Sequence, residues 1–367
     1  MGNDESDLRV LHVLPADLAR GAQVYARALR DELESTGQEH RLLTLFGTDA
    51  SVLAADYRLG LRGGMWRRFG FDPRCVVELR RALRRFRPDV VVAHGGEALK
   101  YAALARIDRP PLLYYSIGVV MDSARSFPRR TLYRFLAGRA DLVIGVSQEV
   151  VDESRTLLGV RTDRLALLPN ARDPSVYKPR QASGGRPSDP PVVAFVGHLT
   201  ATKRPQMFIS VITALRARGI AVRALMVGGG PLLDDLTGPA SAAGVEVLGT
   251  RQDVAEILPG CDLLVFPSLP EGEGMPGVLI EAGLAGLAVV ATDVPGASTV
   301  IADGVTGRIV PVHDTVALVD AVAELIAEPA RLAEMGAAAR QRCVAQFSIA
   351  ESAASWRELF GRVAPGH

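Results

Sequence analysis

The stretch Pro267-Ser-Leu-Pro-Glu-Gly-Glu-Gly-Met-Pro-Gly-Val-Leu-Ile-Glu281 sets two carboxylates, Glu273 and Glu281, eight residues apart across a junction between loop and helix. The run Gly277-Val-Leu-Ile-Glu-Ala-Gly-Leu-Ala285 continues as an apolar helix, and Pro276 suits a first turn, where a missing N–H costs nothing. The helix is therefore expected to begin near Met275 or Pro276, with Glu273 in the loop and Glu281 on the helix. Backbone N–H groups of Gly274, Met275 and Gly277 then point at whatever lies over that terminus, together with the positive end of the helix dipole. Such a terminus is an anion site. An anion held between a loop carboxylate and one on the helix describes a phosphorylated ligand that also carries hydroxyls, and a nucleotide sugar fits. The plainer alternative is a pair of surface glutamates beside the strand-helix turn of any doubly wound domain.

A chain of 367 residues exceeds one compact core and suggests two domains. Its 48% hydrophobic and 23% charged residues are ordinary for a soluble globular enzyme. The formal net charge of +1 argues against generic nucleic-acid binding. Cys75, Cys261 and Cys343 are odd in number and widely spaced, which supports neither a disulfide framework nor a cysteine metal site. With a polar start, Met-Gly-Asn-Asp-Glu-Ser-Asp, and no apolar run near the length of a membrane span, the expected compartment is the cytoplasm.

Residues 178–191, Lys-Pro-Arg-Gln-Ala-Ser-Gly-Gly-Arg-Pro-Ser-Asp-Pro-Pro, cannot sustain a helix or inner strand and read as a linker. On either side, short β-branched runs alternate with helical patterns, as in βα units of a parallel sheet. The strands expected before the linker are 9–14, 41–46, 90–94, 112–115 and 142–147; those after it are 192–196, 222–227, 245–248, 263–267, 287–292 and 308–310. Two Rossmann-like doubly wound α/β domains follow, 1–177 and 192–345, with ligands expected beyond the C-terminal strand ends, in a cleft between facing domains. A helical pattern carrying Trp356, Leu359 and Phe360 occupies the C-terminal stretch 346–367.

The Glu273 and Glu281 pair resembles the E-x7-E element of retaining glycosyltransferases of family 4, which have the GT-B fold. That resemblance implies an acceptor-binding first domain, a nucleotide-sugar-binding second domain and a terminal helix that crosses back to the first. It also implies that Glu273 contacts the donor sugar and Glu281 the ribose. Strand 192–196 runs into Gly197-His-Leu-Thr-Ala-Thr-Lys203-Arg-Pro205, where a glycine admits a ligand and a lysine at the next helix supplies a mobile positive charge for a diphosphate. This is similar to the family's Gly-Arg-Leu-x-x-x-Lys element, with Lys203 in the lysine place and His198 replacing the arginine; Arg204 is the candidate to compensate. Arg20-Gly21 before a helix with apolar Val24, Ala28 and Leu29 resembles a weakened Gly-Gly-Ala-Glu element. Thr250 and Arg251 stand where the family's loop binds the base through backbone groups. Val294-Pro-Gly and Asp303-Gly-Val-Thr-Gly307 match further elements, although Thr299 occupies a usual glutamate place. The run Val227-Gly-Gly-Gly-Pro231 reads as a tight strand-helix turn.

On the acceptor side, His94 ends a strand as in a family element and is a candidate to orient an acceptor hydroxyl, its alternative being a hydrogen-bonded structural residue. Ile117-Gly118 replaces a His-Gly of many members, so their acceptor contacts do not carry over. The arginine-rich run Arg58 to Arg87, with Trp66, Phe69 and Phe71, reads first as a solvated surface and second as a dock for an anionic membrane, on its inner face, or a site for an anionic acceptor. The resemblance thus implies a metal-independent, retaining transfer from a nucleoside-diphosphate sugar, UDP-linked before GDP-linked, to an acceptor hydroxyl, with no cofactor; no Asp-x-Asp occurs in the chain. Catalytic weight falls on Glu273, Lys203 and His94. An epimerase, hydrolase or non-catalytic binder on the same fold is the alternative. A dinucleotide oxidoreductase would carry a Gly-x-Gly-x-x-Gly turn after a first strand with an acid about twenty residues on, and neither half shows this at its first turn.

Overall fold

The computed structural model describes residues 8–16, 21–35, 37–47, 55–61, 70–106, 110–118, 127–179 and 190–364. They form two compact units, Met1–Ala171 with Ile349–His367, and Arg172–Ser348. The first unit ends earlier than the linker composition suggests. Residues 172–177 join the second unit because Arg172 bridges to Ser348 and donates to Glu281 there. Most of the expected linker, 180–189, lies outside the described residues.

In the first unit, β1 (Arg9–Ala16), β2 (Glu39–Phe46), β3 (Tyr57–Leu61), β4 (Val90–His94), β5 (Leu112–Ser116), β6 (Leu142–Gly145) and β7 (Leu165–Leu167) form one sheet in the order β3-β2-β1-β4-β5-β6-β7. Every pairing is parallel, and the inner strands are largely buried on both faces, so they read as mainly apolar runs, interrupted by the buried polar residues His12, His40, Thr44 and His94. One face carries Leu11, Val13, Leu43, Val91 and Ala93 into a cluster with Leu79 and Leu99 of the helices Pro73–Phe86 and Gly96–Ala105. The helix Gly21–Glu34 buries Tyr25, Ala26, Leu29 and Leu33, so Val24, expected on its apolar face, is exposed instead. The helix Ile349–Gly361 packs against it. Trp356 Nε1 donates to the Tyr25 hydroxyl at 2.7 Å, and Tyr25 pairs with Ser352 Oγ at 2.7 Å, which satisfies every polar tip in an otherwise apolar contact.

The strands β3 and β7 are absent from the sequence-based expectation. Each is an edge strand only partly buried; β3 alternates over Tyr57-Arg-Leu-Gly-Leu61, a readable signal, whereas the apolar run of β7, Leu165-Ala-Leu167, is three residues long and too short to stand out. Of the arginine-rich run, residues 62–69, including Trp66 and Phe69, lie outside the described residues. Beyond them Arg74 pairs with Asp72, Arg80 donates to the Leu104 carbonyl, Arg81 pairs with Glu78, and Phe71 stacks on Tyr101.

In the second unit, β8 (Val192–Val196), β9 (Arg223–Val227), β10 (Val245–Gly249), β11 (Leu263–Phe266), β12 (Ala288–Thr292) and β13 (Gly307–Val310) form a sheet in the order β10-β9-β8-β11-β12-β13, again all parallel. Both sheets reverse direction beside their first strand, between β1 and β4 in one and between β8 and β11 in the other. Open α/β sheets bind ligands beyond the carboxyl ends of the strands at such reversals.

Candidate active site

At the reversal of the second sheet, the segment after β8 turns through Ala201–Lys203, and the segment after β11 carries Glu273. The two are laced by Leu269 N–H to the Thr202 carbonyl, 2.7 Å. Lys203 Nζ forms an ion pair with Glu273 Oε1 and sits 5.3 Å from the centroid of Phe266, the last residue of β11. Two residues singled out seventy positions apart therefore meet at the crevice. Glu273 is nearly buried, whereas Lys203 keeps about a quarter of its side chain exposed, so the ammonium is the partner with access to solvent or ligand.

The helix after this loop begins at Gly277, with Pro276 as its extended N-cap at φ −68° and ψ 114°, one residue later than Pro276 in the first turn would have it. Glu281 lies on that helix, as expected. Its Oε1 accepts from Arg172 Nε at 2.8 Å, in a pair where the arginine is nearly buried. Arg172 also explains Gly277, since a Cβ there would overlap its guanidinium. Tyr177 bonds to the same guanidinium, and burial, followed by the Glu281 charge, pushes its phenol pKa up. Arg172 escapes sequence reading because nothing in Leu168-Pro-Asn-Ala-Arg-Asp-Pro174 distinguishes it, and its carboxylate partner is 109 residues away.

The loops after β8, β9 and β10 share one backbone seam. Gly197 N–H donates to the Val227 carbonyl, Leu199 N–H to Gly229 and Gly228 N–H to Gly249, at 2.8 to 3.0 Å. Gly228 has φ 145° and a Cβ there would overlap the Gly197 carbonyl oxygen, so the Gly-Gly-Gly run is demanded by contact between two loops. His198 is exposed on the seam, and Thr250 faces Gly229. Arg251 is held by Asp253, with Nε to Oδ1 at 2.8 Å. Arg204, offered as a stand-in for the missing arginine, instead donates to the Val312 carbonyl at 2.6 Å and takes a left-handed φ of 49°. One of its guanidinium nitrogens is thus held by a backbone carbonyl.

In the first unit, Gly21 opens the helix after β1, and residues 17–20 before it, Arg20 included, lie outside the described residues. His94 ends β4 but is fully buried. Its Nε2 lies 3.0 Å from His12 Nδ1; His12 Nε2 lies 3.0 Å from His40 Nδ1; and His40 Nε2 meets Gln38 Oε1 at 3.1 Å. His94 Nδ1 has no hydrogen-bond partner among the described residues. Burial drives the pKa values of His94 and His40 down to about 3 and that of His12 well below its ordinary value, so all three rings are neutral. Composition gives no hint of this row, because its members stand on three strands. Among the described residues no group of three or more His, Cys, Asp or Glu side chains is placed to hold a metal ion.

Two parallel-sheet Rossmann-like units, with the singled-out side chains at the carboxyl ends of their strands, define a GT-B protein. Solved structures share the fold along almost the whole chain: Anabaena Alr3699/HepE in complex with UDP, at 19% identity and TM-score 0.79 over 97% of this chain and 100% of that one, and sucrose-phosphate synthase from Thermosynechococcus elongatus, at 20% identity and TM-score 0.81 over 97% and 98%. Residues 19–176 match the family model described as Glycosyltransferase Family 4, and residues 190–328 match Glycosyl transferases group 1. The chain belongs to glycosyltransferase family 4. Among its relatives are a D-inositol 3-phosphate glycosyltransferase of Nocardia farcinica, 31% identical over 74% of this chain and 61% of that protein, and a GDP-mannose-dependent alpha-(1-6)-phosphatidylinositol monomannoside mannosyltransferase of Mycolicibacterium smegmatis, 34% identical over 58% and 59%. The chain thus aligns with only about three fifths of the length of these relatives.

Proposed function

We propose that this chain is a retaining, metal-independent glycosyltransferase that moves a sugar from a nucleoside-diphosphate sugar, UDP-linked before GDP-linked, to an acceptor hydroxyl. The observation that carries the reading is the Lys203 and Glu273 pair at the reversal between β8 and β11. As the bond from sugar to phosphate breaks, charge grows on the diphosphate, and a lysine poised to leave a carboxylate can follow that charge. Glu273, relieved of its partner, then accepts from hydroxyls of the donor ring, a charge-assisted bond. Glu281, its Oε1 held by Arg172, is oriented to offer its second oxygen to the ribose. The UDP in the HepE structure and the GDP-mannose dependence of the mycobacterial relative support a nucleotide-sugar donor. Family membership supports retention, assisted by the departing phosphate; no protein nucleophile is assigned.

The test is transfer from UDP-glucose and from GDP-mannose, in EDTA, with D-inositol 3-phosphate among the acceptor probes, followed by product NMR. Nucleoside diphosphate release and an unchanged anomeric configuration are expected, and Lys203→Ala should lower kcat about a hundredfold while donor KM moves far less. Loss of activity on chelation, restored by manganese or magnesium, would overturn metal independence. Isomerised or hydrolysed donor without transfer would favour an epimerase or hydrolase on the same fold.

A further inference from the structure

We infer that Gln38 sets the tautomer of His94 through His40 and His12, so that His94 presents a bare Nδ1 able to accept a hydrogen bond from a hydroxyl of the sugar acceptor. The hydroxyl half of this inference rests on the transferase reading above; the tautomer half does not.

A neutral imidazole carries one N–H and one bare nitrogen, so each contact in the row must pair a donor with an acceptor. Gln38 Oε1 can only accept, which places the proton of His40 on Nε2. His40 Nδ1 is then bare and accepts from His12 Nε2. His12 Nδ1 is bare in turn and accepts from His94 Nε2. The direction propagates along the whole row, and the nitrogen left over is His94 Nδ1, a lone-pair acceptor with no partner among the described residues. A protonated His40 or His12 would put two donors face to face, and burial disfavours a charge on His94.

The row crosses the strands on one face of the sheet: His40 on β2, His12 on β1 and His94 at the end of β4. It therefore terminates at the reversal between β1 and β4, the place where this sheet is built to receive a ligand. Aromatic rings pack against it. Phe360 stands 5.8 Å from His40, Tyr115 stands 5.6 Å from His94 and stacks at 5.2 Å on Tyr25, and Trp356 stands 5.5 Å from Tyr115. Two of these rings belong to the terminal helix, which packs against the row. A buried acceptor without a donor is costly to keep, and a hydroxyl is the neutral donor that would complete it. Gln38 acts here as a positioning residue, three rings removed from the atom it controls.

The chain has six histidines, so ring-nitrogen NMR of 15N-histidine-labelled full-length protein can resolve them, with His94→Gln to assign its signals. The wild type should show His94, His12 and His40 all protonated at Nε2 and bare at Nδ1. Gln38→Leu, which removes the acceptor, should give mixed tautomers at His94, and Gln38→Glu, which restores one, should return the single Nε2–H form. A proton on His94 Nδ1 in the wild type, or an unchanged His94 in Gln38→Leu, would overturn the inference. In the transfer assay Gln38→Leu should lower kcat/KM for the acceptor about tenfold with donor affinity intact; the expected NMR pattern with acceptor kinetics unmoved would remove the hydroxyl role. Failure of transfer itself would fall on the transferase reading, because the NMR result needs neither substrate.

Discussion

The two sheets reverse in the same way and place opposite chemistry at the reversal. Beside β8 and β11 stands an ion pair, Lys203 with Glu273, backed by a second one, Arg172 with Glu281. Beside β1 and β4 stands a neutral row of histidines. Topology alone makes a crevice; the side chains decide what it receives. A crevice meant for a diphosphate needs a cation that can change partners, and a carboxylate keeps that cation in place until the anion arrives. On the reading proposed above, a crevice for a hydroxyl needs an uncharged acceptor, and burial keeps the three imidazoles neutral by holding them below their usual pKa.

The comparison breaks most visibly where the charged crevice depends on backbone contact. Gly228→Ala puts a Cβ into the Gly197 carbonyl oxygen at a φ that L-residues rarely adopt, and should cost the second unit about 3 kcal/mol or more. Calorimetry should show that unit melting earlier and UDP binding lost. Unaltered UDP affinity would show that the seam between loops does not shape the site.

The neutral crevice is sharpened by acid. The folded pKa values of His40 and His94 lie near 3 and that of His12 lies well below its ordinary value, with burial as the main cause and, for His12, the neighbouring His94, His40 and Arg30 charges next. Below pH about 6.5 the unfolded chain binds protons that the folded one refuses, so stability from the row is complete above that pH and is lost as pH falls toward 3. Each histidine contributes a slope of about 1.4 kcal/mol per pH unit, hence about 4 for the three together. Urea unfolding followed by tryptophan fluorescence at pH 7 and 5.5 measures it. A midpoint equal at both values would mean the rings are not held neutral.

How far the sequence reveals each crevice differs for a physical reason. Glu273, Glu281, Lys203 and Gly197 are legible because each sits at a strand end or helix start marked by glycine or proline, and local chemistry exposes them. The apolar runs likewise announce the inner strands, while β7 is too short an edge strand to stand out and the alternation of β3 is the signal that could have found it. His94 is visible as a strand-terminal histidine, but its meaning lies in His12 and His40, which look like ordinary strand residues until the strands are paired. Arg172 is hidden for the same reason, its partner Glu281 lying 109 residues away.

The division of labour between the two glutamates is tested most directly by calorimetric affinity for free nucleoside diphosphate, UDP and GDP in parallel, in wild type, Glu273→Gln and Glu281→Ala. Glu273→Gln removes the charge that holds Lys203, so affinity should stay within about twofold of wild type or rise while sugar transfer falls about a hundredfold. Glu281→Ala should weaken the nucleotide at least about tenfold, or about 1.4 kcal/mol. Comparable loss of nucleotide affinity in both variants would contradict the account.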